Sequence, residues 1–128
     1  MAAACPCGSG ASFADCCRPY LRGQADAPTA EALMRSRYTA FVRRDAAYLA
    51  STWHPSTRPL DVAEGLDEVE WRGLEVLGTV RGLEGDDAGT VTFVAHHATG
   101  VLTVGQHRET SRFVREDGRW LYVDGDVS

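Results

Sequence analysis

Lysine, asparagine and isoleucine are absent from this 128-residue sequence, so all 13 basic side chains are arginine. These are outnumbered by 18 acidic residues, for a net charge of −5, and no basic stripe of the kind that tracks a nucleic-acid backbone is present. Nucleic acid is therefore an unfavoured partner. No apolar run approaches the ~20 residues that cross a bilayer. The first residues, MAAACPCG, lack the charged start and apolar centre of a secretory signal. The expectation is a cytoplasmic protein with no membrane association. Also missing are a GxSxG elbow, a phosphate-binding glycine loop, an HExxH pair, internal repeats and low-complexity tracts. The length allows one ordinary domain with a small appendage, and a core large enough to fold without staples.

All four cysteines fall in one stretch, CPCGSGASFADCC, at Cys5, Cys7, Cys16 and Cys17. Pro6 stiffens the first pair, while Gly8, Ser9 and Gly10 permit a tight reversal. In a reducing compartment, clustered thiols read as metal ligands rather than disulfides. Four thiolates suit a structural Zn2+, closed to water and substrate, whose role is to fold a loop too short to have a core. The alternative is four unbound cysteines, or a redox-active pair at Cys16 and Cys17.

The chain divides into residues 1–22, knuckle and connector, and 23–128, the main domain. Arg18 to Thr29 reads as connector. Thr29 is a good N-cap, and Glu31 complements the dipole of a helix whose Leu33, Met34, Tyr38, Phe41 and Val42 recur at helical spacing. Asp45 caps a second, shorter helix that ends at His54-Pro55. After a loop from Ser56 to Glu70, strands are expected at Leu74–Leu83, Thr90–Ala98, Val101–Glu116 and Arg119–Asp124, with Gly100 or Gly105 marking a bend. Helices followed by an antiparallel meander predict an α+β domain with helices on one face of a curved sheet.

The pattern C-x-C-G-S-G…C-C resembles the SEC-C motif, the zinc-binding segment at the end of the translocase motor SecA. All four cysteines match its ligand positions. LMRSRYTAF at Leu33 to Phe41, TWHPSTRP at Thr52 to Pro59 and HRETSRFVREDGRWLYVDG at His107 to Gly125 resemble the bacterial YchJ family. That resemblance implies an NTF2-like cone, a bent antiparallel sheet wrapped by N-terminal helices, with a small N-terminal zinc knuckle. It further implies a protein partner for the knuckle, with ribosome or secretion-chaperone contact suggested.

The third strand raises a second possibility. On one face it carries His107, Glu109, Ser111 and Phe113. If Phe113 enters the core, Glu109 enters with it and needs a partner. Arg35, Arg37, His54 and Arg58 are candidate partners, and Tyr38, Trp53, Trp120 and Tyr122 candidate walls. The functional reading is a polar cluster in an aromatic pocket, with Glu109 or His54 as acid/base. The plainer reading, which we favour from sequence, is an ion pair seating the helices on the sheet. Adjacent His96 and His97 face opposite ways on a strand and make a poor chelate.

On sequence alone, a binding or adaptor module contacting a partner through the knuckle, at Phe13 and Arg18, is the leading expectation. Loss of Cys16 should then remove metal and partner while the sheet domain stays folded. A small-molecule-binding protein or enzyme using the cavity of the cone is the rival, and the sequence leaves open whether the protein is an enzyme. Homodimerisation through the sheet, at Val91, Phe93, Val101 and Val104, is a further expectation.

Overall fold

The computed structural model describes residues 3–99 and 103–128. A short 3-10 turn, Phe13–Asp15, and helix α1, Arg18–Leu21, are followed by α2, Ala30–Arg43, and α3, Ala46–Ser51. Four strands complete the chain: β1, Glu70–Arg81; β2, Ala88–Thr99; β3, Thr103–Glu116; and β4, Arg119–Val127. They form one antiparallel sheet in the order β1-β2-β3-β4. This is the expected α+β plan. The expected Val101 and the Gly100 bend lie outside the described residues, and the connector holds the short α1 that was read as loop.

Local chemistry sets the helix ends. The Thr29 side chain accepts from the Ala32 N–H, and Asp45 does the same for Tyr48. Arg44 stops α2 in a left-handed conformation, φ 57°. Helix α3 ends at Ser51, before the expected His54, because Thr52 leaves the helix to pair with β4. There Tyr122 N–H donates to the Thr52 carbonyl, and His54 N–H to that of Tyr122. Irregular register between Trp71 and Gly73, Val76 and Gly78, and Arg112 and Phe113 marks bulges, which bend strands and increase their twist. At the β1–β2 turn, a Cβ on Gly89 would run into the backbone of Gly82, so the closest approach of the two strands requires glycine.

Helix α2 organises the rest. Arg35, Thr39 and Arg43, spaced by four, meet the cysteine loop. Met34, Arg37, Tyr38 and Phe41 turn toward the sheet, where they line a cavity. On the third side, the Ser36 hydroxyl bonds Tyr48 of α3 at 2.6 Å. With three sides engaged, α2 buries Ser36, Arg37 and Thr39 along with Ala30, Leu33, Met34, Tyr38 and Ala40.

Of the three described residues expected at a sheet-mediated dimer, Val91 and Phe93 are buried against the helices and Val104 is exposed. The strand alternation puts both inward, so they are core.

Candidate functional site

The first chemical centre is the cysteine loop. Its four sulfurs lie within 4.8 Å of one another, and none is in a disulfide. Cys7 Sγ is 3.6 Å from that of Cys16, which is 3.9 Å from Cys17. A tetrahedral ion with metal–sulfur bonds of ~2.3 Å holds its ligands about 3.8 Å apart, so the quartet fits a metal. Its electrostatics ask for a cation. A hydrogen bond from Cys17 brings Cys7 down to about 4, whereas that same bond to Cys7, together with burial, pushes Cys17 up. Burial raises Cys16 as well. Only a positive centre lets all four be thiolates together.

This loop shares the core of the domain. Cys5, Cys7 and Cys17 are 5%, 0% and 1% exposed and pack in one cluster with Ala30, Leu33, Met34, Tyr38 and Phe93. Arg35 is engaged here, away from the sheet cavity. It pairs with Glu31 at 2.9 Å and donates to the Cys7 carbonyl at 2.7 Å. Phe13 is half-buried beneath the Arg43 guanidinium.

The second centre is a cavity of about 380 Å3 between α2 and the sheet. Tyr38, Phe41, Trp71, Phe93 and Phe113 supply apolar walls, with Trp53 beside them. A polar wall comes from His107, Glu109 and Ser111 of β3, with Tyr122 of β4 and Arg37 of α2. Glu109 accepts from His107 Nε2 at 2.9 Å, from the Ser111 hydroxyl at 2.5 Å and from the Tyr122 hydroxyl at 3.1 Å. Arg37, 5% exposed, donates to the Leu49 carbonyl at 2.9 Å and the Thr52 hydroxyl at 2.7 Å. Its guanidinium lies 4.9 Å from the centre of the Trp53 ring and 4.7 Å from that of Tyr122. Burial lowers Arg37 to about 10, so it remains a cation at neutral pH. The buried indole N–H of Trp53 has no acceptor among the described residues.

The structure thus brings Arg37, Tyr38, Trp53, Glu109 and Tyr122 to one cavity and places Arg35, His54, Arg58 and Trp120 elsewhere. His54 lies outside, its Nε2 2.6 Å from Glu116, because the extended residues after α3 follow the β4 edge. Arg58 reaches only the Ala50 carbonyl, at 3.3 Å. Trp120 sits nearer the β3–β4 turn and donates to the Pro28 carbonyl at 3.2 Å. His96 bonds Glu75 at 2.7 Å, while His97 stacks edge-on to Trp71. The ion pair expected between Glu109 and one of Arg35, Arg37, His54 and Arg58 does not form among the described residues. His107, Ser111 and Tyr122 hold the carboxylate, and Arg37, the one of the four that lines the cavity, spends its hydrogen bonds on Leu49 and Thr52. His107 was missed as a functional group, although its place two residues before Glu109 on the same strand face was the available signal.

These groups give the protein an alkaline limit. Burial raises Tyr48 to about 12, and burial followed by the neighbouring Glu109 charge raises Tyr122. Unfolded tyrosines ionise near ~10, so the stability these two contribute is complete below that pH and is lost as pH climbs through their folded values. Arg37, lowered in the fold, works in the opposite sense between about 10 and 12.5. Burial raises Tyr20 and Tyr38 as well, and four tyrosines against one arginine predict that the urea midpoint falls between pH 9 and 11.5. It should fall less in Tyr48→Phe, and an equal fall would remove Tyr48 from the explanation.

Comparison with known proteins places these features in a family. The profile of the YchJ middle NTF2-like domain matches residues 29–125, and that of the SEC-C motif residues 1–19. The chain is 52% identical over 124 residues to a UPF0225 protein of Streptomyces avermitilis, covering 97% of this chain and 84% of that one. The solution structure of a SEC-C motif containing protein from Rhodopseudomonas palustris superposes with a TM-score of 0.88 at 36% identity, covering 100% and 99% of the two chains. The crystal structure of a SEC-C motif containing protein from Psychrobacter arcticus gives 0.79 at 31%, covering 97% and 82%. Among the described residues, no helix is long and apolar enough to cross a membrane.

Proposed function

From the premise that this chain belongs to the YchJ family, also called UPF0225, we propose that its NTF2-like cone binds a small molecule, with the SEC-C loop as a zinc-held brace. The observation that carries this reading is the cavity of about 380 Å3 with aromatic walls and one polar wall. Pockets for small ligands occupy this size range and have this make-up, mostly apolar with a few polar groups for orientation. Inside it the Glu109 and Arg37 charges offset one another, so a neutral ligand gives up least hydration on entry. A flat molecule of one or two rings suits walls made by Phe41, Trp71 and Phe93. Zinc is the metal we assign to the loop, since four thiolates at this spacing are a closed, soft site.

A knuckle acting mainly as a docking surface for a ribosome or secretion chaperone finds less support. Its intended contacts, Phe13 and Arg18, are half-buried, and Cys5, Cys7 and Cys17 are spent on the core, which leaves Gly8 to Ala11, Ala14 and Asp15 as the exposed part of the loop.

Thermal shift against a library of neutral one- and two-ring metabolites tests the cavity reading. Binding at a ligand concentration of 100 times Kd adds about 2.7 kcal/mol, a rise of several degrees. Ala95 lines the cavity and is buried, so Ala95→Leu fills space without removing a polar group. The rise should vanish in that variant. No rise with any compound, or an equal rise in Ala95→Leu, would sink the reading.

A further inference from the structure

We infer that His107 is a general base in this cavity and that Glu109 is the residue that positions it. This rests on the cavity being a ligand site. Glu109 is a poor base itself, because both carboxylate oxygens are engaged by His107, Ser111 and Tyr122. An ionised carboxylate only accepts, so the His107 nitrogen that faces it, Nε2, carries the proton. The neutral imidazole then presents a bare lone pair on Nδ1, for which no protein partner is found among the described residues. The imidazole is one-third exposed and its ring stands beside Phe93 and Trp71 at the aromatic wall. A base whose far nitrogen is anchored by a fixed carboxylate has the arrangement that orients imidazoles for proton abstraction.

Two features make the anchor rigid. Ser111 is 2% exposed and cannot turn away to water. Gly125, paired with Ser111 across β3 and β4, lies so close that a Cβ there would run into the Glu109 carboxylate. The small residue at 125 gives the carboxylate its seat. The substrate class is a flat, largely apolar, neutral molecule whose O–H, or C–H next to an electron-withdrawing group, gives up a proton to Nδ1.

The probe is nitrobenzisoxazole, a flat bicyclic compound that needs only a base. The base takes the ring C–H proton, and that electron pair becomes part of a nitrile as the N–O bond breaks. The products are a coloured cyanonitrophenolate and protonated His107, which returns its proton to solvent. Its isostere nitrobenzoxazole cannot eliminate and reports binding alone by calorimetry. We expect His107→Ala and His107→Gln to lower kcat by about 100-fold with isostere affinity within a few-fold of the parent, a typical general-base contribution. Imidazole added to His107→Ala should restore part of the rate. Glu109→Gln and Gly125→Ala should lower kcat while KM changes little. Isostere binding with a rate unchanged in both His107 variants would overturn the general base and leave the cavity reading standing. No binding of the isostere to the parent protein would overturn both.

Discussion

Cys7→Ser is expected to unfold the main domain as well as the metal loop. The side chain is fully buried in the cluster that also holds Leu33, Tyr38 and Phe93, and its carbonyl receives Arg35 of α2. Structural zinc in small domains contributes about 10–16 kcal/mol. A domain of ordinary stability has about 5–15 kcal/mol in all, so loss of the ion removes as much as the fold can spare. Added chelator should therefore abolish near-ultraviolet circular dichroism and the cooperative melt together, with about one zinc released per chain. Cys16, the most exposed of the four, should give the mildest serine variant. From sequence, a detachable knuckle was expected, with the sheet domain surviving its loss. A chelated protein that still melts cooperatively within a few degrees of the loaded one would restore that picture.

Arg37→Ala should cost about 3–5 kcal/mol, which in a chain of this size lowers Tm by about 10–15 °C. The substitution strips hydrogen bonds from the Leu49 carbonyl and the Thr52 hydroxyl, opens space between Trp53 and Tyr122, and takes the positive charge from the cavity that also holds Glu109. Arg37→Lys should not rescue it. Lysine lacks the planar face and fork, and it starts near ~10.4, so the burial that brings Arg37 to about 10 would move it much closer to neutrality. A lysine lowered in the fold opposes folding while charged. That variant should therefore gain stability, relative to the parent, as pH rises from 6 to 9. Urea midpoints across that range decide the matter, and a parallel pair of curves would count against a buried cation here.

Much of the scaffold was legible because it is encoded over short distances. Thr29 and Asp45 cap helices by bonding to N–H groups three residues on, and alternation along β3 placed Glu109 and Phe113 on one face. The strands expected from turn chemistry are present. What escaped depended on pairing across the chain. Trp71 marked only the end of a loop in the sequence, yet it becomes a wall of the cavity once β1 pairs with β2. His54 was a candidate partner of Glu109 and a candidate acid/base, but its backbone bond to Tyr122 aims it toward Glu116. Arg37 was one of four candidate partners for Glu109, and its place three residues from Met34 and four from Phe41 is what sets it apart from the other three. The ordinary preference of arginine for water left it unranked.

The three-sided engagement of α2 makes the chain unusually sensitive to length as distinct from composition. Inserting a single residue after Met34 would turn everything beyond it by about 100°. Thr39 would swing off the sulfurs in the same movement that takes Arg37 and Tyr38 out of the cavity and Ser36 away from Tyr48. Many helices can absorb such a slip by re-choosing which side faces inward. This one has no spare side, so variation in the helix must come by replacement, while additions and deletions are confined to segments such as 59–69 that carry no ladder or helix.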